Sequence, residues 1–183
     1  MEIEIKVRIE NGETLKRFLE QEASQSYVER QIDEYYTPAH KDFTDADPIK
    51  EWLRLRNSDG KFSLNYKNWH YGSDGKSHHC DEYETEIGNV DDTKKILSAL
   101  DFKHLITVDK LRSAWRYKEY EIALDTVEGL GDFVEIEYKG RDADVVPSEI
   151  TEQMMSFLDG IGCGAIERTF KGYPYLLLEK KAA

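Results

Sequence analysis

Charged side chains alternate with apolar ones along residues 2–9, a spacing that could support chemistry on a charged ligand. The charged side chains of this segment are Glu2, Glu4, Lys6 and Arg8. Strict alternation is typical of a β-strand, because successive side chains of a strand point to opposite faces. Similar alternation recurs at 52–56, 61–67, 82–87, 105–113, 116–125 and 133–138. The sequence therefore predicts several strands that each have one charged face.

These charged faces carry both signs. Their positive residues are Lys6, Arg54, Arg56, Lys67, Lys110 and Arg112. Their negative residues are Glu2, Glu4, Glu82, Glu84, Glu86, Asp125, Glu135 and Glu137. Carboxylates bind hard divalent cations, whereas arginine and lysine side chains bind phosphate oxygens. A polyphosphate that carries its metal ion would satisfy both sets of side chains.

A charged strand face also has a simpler explanation, because an antiparallel sheet commonly exposes one face to water. That explanation suits any single strand, but here the pattern recurs along most of the chain. A sheet that curls with its charged faces inward and helices outside would form a polar tunnel. An empty tunnel would crowd like charges in a partly desolvated space, which is unfavourable. A bound metal–polyphosphate would relieve this, and phosphoryl or nucleotidyl transfer needs mainly positioning and charge stabilisation.

The other segments predict helices packed on an antiparallel sheet, which is an α+β fold. The predicted helices are 13–23, 91–100, 148–161 and a short one after Pro174. In the second of them, the residues expected to be buried are Ile96, Leu97 and Leu100. The predicted turns are 58–60 and 129–132, and a loop is predicted over 68–81, which contains Gly72 and Gly75.

The composition narrows the class of protein. A length of 183 residues with 39% hydrophobic content fits a single domain over 1–183. The net charge of -12 argues against a nucleic-acid partner. The longest apolar stretches are only a few residues, so no membrane span is predicted. The N-terminus has neither a basic region nor an apolar region after it, so no signal peptide is predicted. Two cysteines, Cys80 and Cys163, give no disulfide framework, so we expect a cytoplasmic protein. We expect it to be a monomer or a homodimer.

Taken in order, the charged motifs cover nearly the whole chain. They begin with Glu2-Ile-Glu4-Ile-Lys6 and end near Lys171-Gly-Tyr173. Between these lie Asp33-Glu-Tyr-Tyr, Leu53-Arg54-Leu-Arg56, Lys67, Glu84-Thr-Glu86, Lys110-Leu-Arg112, Asp125 and Gly129-Leu-Gly-Asp-Phe-Val-Glu135-Ile-Glu137. This ordered series resembles that of the CYTH superfamily, the triphosphate tunnel metalloenzymes. The superfamily includes class IV adenylate cyclases, thiamine triphosphatases and tripolyphosphatases.

The resemblance implies a fold and a set of roles. The implied fold is a closed eight-stranded antiparallel β-barrel, the triphosphate tunnel, with a charged lumen and helices packed outside. Its remaining strand would be Ile32 to Tyr36. The implied cofactor is Mg²⁺ or Mn²⁺, and the implied metal ligands are Glu2, Glu4, Glu84, Glu86, Asp125, Glu135 and Glu137. The implied triphosphate-binding residues are Lys6, Arg54, Arg56, Lys67, Lys110 and Arg112. The residues expected to be catalytic are Glu4, Lys67, Lys110, Arg112 and Glu135.

The resemblance leaves the reaction open between two activities and a binding role. The motif from Gly129 to Glu135 and the chain length are most similar to the class IV adenylate cyclase branch, which converts ATP into cyclic AMP and pyrophosphate. Trp52 and the segment Arg112-Ser-Ala-Trp115 are more similar to thiamine triphosphatases, which implies hydrolysis of thiamine triphosphate or tripolyphosphate. A module that binds a triphosphate without turning it over is the third possibility. Our first expectation is the cyclase activity.

Three other features have ordinary explanations. The run His78-His79-Cys80-Asp81 lacks a partner at zinc spacing and is expected to belong to a loop. Trp115 is expected to pack against the wall of the barrel. Trp52 either stacks on an aromatic ring of the substrate or packs in the core.

Overall fold

The alternating segments form the strands of an antiparallel sheet in the computed structural model, which describes residues 3–71, 77–140, 145–164 and 166–182. The strands are β1 Glu4–Ile9, β2 Ser24–Pro38, β3 Glu51–Ser58, β4 Lys61–Tyr71, β5 Ser77–Ile87, β6 Phe102–Tyr117, β7 Tyr120–Val127, β8 Gly131–Tyr138 and β9 Ile166–Thr169. The helices are α1 Gly12–Glu22, α2 Val90–Ala99, α3 Pro147–Ile161 and α4 Tyr173–Ala182. The α+β class predicted from the sequence is confirmed.

The described strands form a nine-stranded sheet in the order β5-β4-β3-β2-β6-β7-β8-β1-β9. The prediction of a closed eight-stranded barrel is wrong, because this sheet is not closed. The two edges of β1 show why. One edge pairs with β8, and the other pairs with β9, where Val7 lies opposite Arg168. A strand as short as β9 leaves too little alternation for sequence reasoning to detect.

Two strand ends also differ from the prediction. Strands β4 and β5 extend into the predicted loop over 68–81, with Asn68 paired to Asp81 and Trp69 paired to Cys80. The glycines predicted to bend that loop lie at 72 and 75, outside the described residues. Strand β6 continues through Trp115, because the turn to β7 comes later, at Lys118 with a φ of 52°.

The chain divides into two compact units, and the first contains residues 1–29 and 110–172. Its core lies between the apolar face of the sheet, including Ile5, Val7 and Ile136, and two helices. Asn11 caps the start of α1, and Pro147 lies in the first turn of α3. Leu15 and Leu19 of α1, together with Met154 and Leu158 of α3, cover the apolar strand face. The helices therefore leave the charged strand face to form a site.

The second unit contains residues 30–109 and 173–183. Its helix α2 directs Leu97 inward, with an exposed fraction of 6%. The burial predicted for Ile96 and Leu100 is wrong, because they are 58% and 60% exposed. The inward face of α2 is formed by Val90, Thr93 and Leu97, which are spaced three and four residues apart. Ile96 and Leu100 lie outside this face and are exposed.

No helix in the described part of the chain is long and apolar enough to cross a membrane. The single domain over 1–183, the cytoplasmic location and the oligomeric state stay predictions.

Two leucines near the end of α2 provide a matched test of this packing. Leu97→Ala removes a buried side chain and should lower the free energy of unfolding by about 2–5 kcal/mol. Leu100→Ala removes the same atoms from an exposed position and should change it by less than about 0.5 kcal/mol. Urea denaturation of both variants measures the difference. Equal losses would mean that Leu100 is also buried in solution.

Candidate active site

Strand register brings five of the predicted residues together in the first unit. Lys6 on β1 lies opposite Glu135 on β8, and Arg112 on β6 lies opposite Asp125 on β7. Directly opposed residues of antiparallel strands project from the same face, so these side chains meet. Lys110 joins them from β6 through its contact with Asp125. We call these five residues the first cluster.

Ion pairs connect every member of the first cluster. Lys6 Nζ lies 3.1 Å from Glu135 Oε1, and Lys110 Nζ lies 3.1 Å from Asp125 Oδ2. Arg112 donates from Nε to Asp125 Oδ1 at 2.7 Å and from Nη2 to Asp125 Oδ2 at 2.5 Å. The same Nη2 also donates to Glu135 Oε2. Within this set, three cations thus share two carboxylates.

Burial strengthens these interactions. The Asp125 side chain is fully buried, that of Lys110 is 3% exposed, and that of Glu135 is 18% exposed. Burial by itself would raise the pKa of Glu135, but the charges of Lys6, Arg112 and Lys110 hold that pKa well below its ordinary value. The first cluster therefore keeps Glu135 ionised and its cations in fixed positions.

Two other acidic residues of the first unit, Glu4 and Glu137, carry the carboxylate oxygens that hard metal ions prefer. Glu4 lies directly opposite Glu137 across β1 and β8, so their carboxylates share one face with Glu135. Glu4 is exposed, and Glu137 pairs with Lys139. Within the described residues, no three acidic, histidine or cysteine side chains are already arranged around a metal position. Glu2 lies outside the described residues.

Both oxygens of Glu135 already contact a cation, Lys6 on one side and Arg112 on the other. A divalent ion that uses this carboxylate must therefore replace at least one of those contacts. The donor type fits Mg²⁺ or Mn²⁺, which prefer carboxylate oxygens.

Strand register gathers a second group of predicted residues in the second unit. Asp33 on β2 lies opposite Arg56 on β3, and Lys67 on β4 lies opposite Glu82 on β5. Arg54 is on the same face as Arg56, two residues before it along β3. The second cluster is Asp33, Arg54, Arg56, Lys67, Glu82 and Glu84.

Each cation of the second cluster has a carboxylate partner. Arg56 donates from Nε and Nη2 to the two oxygens of Asp33, both at 2.7 Å. Arg54 Nη2 lies 3.7 Å from Glu84 Oε1, and Lys67 Nζ lies 3.2 Å from Glu82 Oε1. Burial alone would raise the pKa of Glu82, but hydrogen bonding from Asn65 and the charge of Lys67 lower it. The predicted ligand Glu86 is exposed on β5, opposite Ser63.

Sequence reasoning missed one member of these clusters, Asp33, and two residues that contact them, Asn65 and Tyr27. Asp33 stood in a motif without a role, and its position two residues before Tyr35, on the same strand face, was the available signal. Asn65 donates to Glu82 at 2.7 Å and is 1% exposed. Tyr27 hydrogen-bonds Arg112, and burial raises the pKa of this tyrosine. Nothing in the sequence indicated Tyr27, because the predicted strand began at Ile32.

Trp52 and Trp115, two of the three tryptophans, both pack against other protein groups. Trp115 is 1% exposed in the core of the first unit, as predicted. Trp52 is 9% exposed and packs edge-on against Tyr35, with ring centroids 5.5 Å apart. Its burial favours a packing role over stacking on a substrate. Cys80 lies within β5, not in a loop, and the side chains of His78 and His79 lie outside the described ones.

The fold and its two clusters define a protein that presents carboxylates and cations on the same strand faces. A model of the CYTH domain matches residues 1–173. The chain therefore belongs to the CYTH family, which confirms the resemblance seen in the sequence. Members of this family are generally enzymes, adenylate cyclases or triphosphatases, and generally depend on divalent metal ions.

Several relatives cover nearly the whole chain. A Methanocaldococcus jannaschii protein named "Putative adenylate cyclase MJ0240" is 29% identical over 88% of this chain and 89% of its own length. The PH1819 protein of Pyrococcus horikoshii is 33% identical with a TM-score of 0.76, covering 98% of this chain and 99% of that chain. HpAC1 from Hippeastrum, described as a "putative adenylyl cyclase" with a dominant triphosphatase activity, is 21% identical with a TM-score of 0.73. That match covers 98% of this chain and 96% of HpAC1, and at this identity it shows the fold alone.

The ionised state of Glu135 predicts how the first unit responds to acid. Its folded-state pKa lies below the ordinary value of 4.5, so its ion pairs stabilise the fold above that pH and are lost as the pH falls. Glu135→Gln should therefore lower the free energy of unfolding at pH 7, by roughly 1–3 kcal/mol. The gap to wild type should narrow as the pH drops below about 4.5. Urea denaturation between pH 7 and pH 3 measures it, and a gap independent of pH would contradict the assignment.

Proposed function

We propose that this protein is a divalent-metal-dependent enzyme that acts on a triphosphate. The observation that carries the proposal is the first cluster, in which three cations and two carboxylates from four strands meet on one face of the sheet, with the carboxylates of Glu4 and Glu137 on that same face. A cluster of this kind attracts an anion with several negative charges and offers carboxylates to a metal ion bound to that anion.

The cations of both clusters are the proposed triphosphate ligands. Arg112 and Arg56 each offer a planar fork of donors that matches phosphate geometry, and the lysines act as point charges. Lys110 is buried in the first cluster, so its charge is poorly screened by water. The proposed set is Lys6, Arg54, Arg56, Lys67, Lys110 and Arg112, of which Lys67, Lys110 and Arg112 are also proposed to be catalytic.

The exposed or half-buried carboxylates are the proposed metal ligands. In the first unit they are Glu4, Glu135 and Glu137, with Glu4 and Glu135 proposed as catalytic. In the second unit, Glu84 and Glu86 are the candidates, and Glu2 is proposed from its motif alone. When bound, Mg²⁺ or Mn²⁺ would offset the negative charge of the phosphate oxygens. The chain itself would hold the phosphates in position with its fixed arginines and lysines.

Our first candidate reaction is the conversion of ATP into cyclic AMP and pyrophosphate. In it the ribose 3′-hydroxyl attacks the α-phosphorus, and the bond from that phosphorus to the pyrophosphate leaving group breaks. The Methanocaldococcus jannaschii relative, which carries an adenylate cyclase name over nearly its whole length, supports this candidate.

The second candidate is hydrolysis of the terminal phosphate of a triphosphate such as thiamine triphosphate or tripolyphosphate. Here water attacks the γ-phosphorus and orthophosphate leaves. The dominant triphosphatase activity described for HpAC1 favours it. Both reactions use the same charged residues, so one assay must separate their products.

A single assay panel tests the function. ATP, thiamine triphosphate and tripolyphosphate are each incubated with Mg²⁺ or Mn²⁺, and cyclic AMP, pyrophosphate and orthophosphate are measured separately. Cyclic AMP with equal pyrophosphate supports the cyclase, because the two products form together. Orthophosphate without cyclic AMP supports the hydrolase.

Thermal melting completes the panel. Tripolyphosphate with Mg²⁺ at about a hundred times its dissociation constant should stabilise the protein by roughly 2.7 kcal/mol. Stabilisation without any product would identify a non-catalytic binding module. Neither stabilisation nor product would contradict the proposed function.

Arginine variants test the cationic side of the site. Replacing Arg56 or Arg112 by Met should lower turnover of the accepted triphosphate by on the order of 10²-fold or more, because each removes charge stabilisation from the phosphates. Arg30→Met is the matched control, since Arg30 is 61% exposed and pairs with Asp109 outside both clusters. Steady-state kinetics compare the three variants. Near-normal turnover in Arg112→Met would exclude this side chain from the catalytic machinery.

A further inference from the structure

Each unit contains one buried aspartate directly opposite an arginine of its cluster. In the second unit Asp33 lies opposite Arg56, and in the first unit Asp125 lies opposite Arg112. The side chain of Asp33 is 3% exposed and that of Asp125 is fully buried. Both pairs have the same geometry, with Nε donating to Oδ1 and Nη2 donating to Oδ2. The same arrangement therefore recurs on different strands.

The contacts of Asp125 leave its carboxylate poorly placed for a metal ion. Oδ1 accepts from Arg112 Nε, and Oδ2 accepts from both Arg112 Nη2 and Lys110 Nζ. A metal ion that bound Asp125 would have to enter a position that water does not reach and either share these oxygens with the guanidinium and ammonium groups or displace one of them. Leaving either cation buried without its partner is costly. Glu4 and Glu135 are more accessible to a metal ion.

The same contacts suit a carboxylate that orients an arginine. A two-point contact fixes both the position and the plane of the guanidinium. Each arginine is held through its Nε and Nη2 edge, so the Nη1 side of the fork faces away from the aspartate. An arginine fixed in this way loses little side-chain freedom when its other side binds a phosphate, which favours binding.

We propose that Asp33 and Asp125 are positioning residues that hold Arg56 and Arg112 in the orientation that binds phosphate, and that Asp125 does not ligate the metal ion. This inference rests on the proposed function. It differs from the role that the family resemblance implies for Asp125, and it assigns a role to Asp33.

Two binding measurements on Asp33→Asn and Asp125→Asn separate the possible roles. Mn²⁺ affinity is measured without a phosphate ligand by electron paramagnetic resonance, and tripolyphosphate affinity is measured in chelator by calorimetry. We expect both variants to keep their Mn²⁺ affinity within about threefold. Their tripolyphosphate affinity should fall by about tenfold or more, because the loss of one contact between an arginine and a phosphate has an effect of this size. Loss of a negative charge alone would instead strengthen the binding of this anion, so the sign of the change is diagnostic.

Glu4→Gln is the matched control, because it removes a carboxylate that is proposed to bind the metal ion. It should lose Mn²⁺ affinity and keep tripolyphosphate binding in chelator. If Asp125→Asn loses Mn²⁺ affinity as Glu4→Gln does, Asp125 is a metal ligand and the inference is overturned. Tighter tripolyphosphate binding by either aspartate variant would overturn the positioning role of that residue.

A measurement on the wild type covers the case in which a variant does not fold. Anomalous scattering from wild-type crystals soaked in Mn²⁺ should place the ion beside Glu4 or Glu135, with Asp125 still bound to Arg112. An Asp125 oxygen at a ligand distance of about 2.1 Å would overturn the inference. If the wild type binds both Mn²⁺ and tripolyphosphate, a failure of these tests concerns the aspartates alone. If it binds neither, the proposed function fails and the inference fails with it.

Discussion

The pairing of antiparallel strands decides which charges meet in this protein. Residues directly opposite each other share a face, so Lys6 meets Glu135 and Arg112 meets Asp125 without any loop having to place them. A slip of one residue would turn every charged side chain of a strand toward the helices and every apolar one toward the site. The apolar core of the first unit, where Val7 and Ile136 pack against α1 and α3, holds that register in place. Core and site are thus two faces of the same strands.

Burial of charge imposes the second constraint. A buried cation such as Lys110 requires a carboxylate, and a buried carboxylate such as Asp125 requires a cation. Both clusters meet this requirement across neighbouring strands, where Arg112 on β6 faces Asp125 on β7 and Arg56 on β3 faces Asp33 on β2. The more buried members contact only other protein groups, whereas the more exposed acids, such as Glu4 and Glu86, lie where a ligand can reach them. Burial therefore fixes the positions of the inner charges, while the outer acids stay accessible.

The chain belongs to the CYTH family, whose members are generally adenylate cyclases or triphosphatases. A charged strand face of this type can bind the same phosphate groups in a cyclase and in a triphosphatase, because the two reactions differ in which phosphorus is attacked and by which oxygen. Relatives associated with both names match nearly the whole chain. The difference in reaction must then come from how the phosphates are placed relative to the attacking group, which the charges alone do not determine.

The sequence by itself determined the local part of this protein. Alternation identified most strands and their charged faces, helical spacing identified α1 and α3, and the order of motifs identified the family, because these signals depend only on neighbours along the chain. Tertiary structure decided the rest. The pairing of β9 with β1 keeps the sheet from closing, and the packing of α2 buries Leu97 while exposing Ile96 and Leu100. Asp33 and Asp125 look like any other acids on an alternating strand. Only the strand opposite each of them reveals that it faces an arginine, since cross-strand contacts join residues that are far apart in sequence.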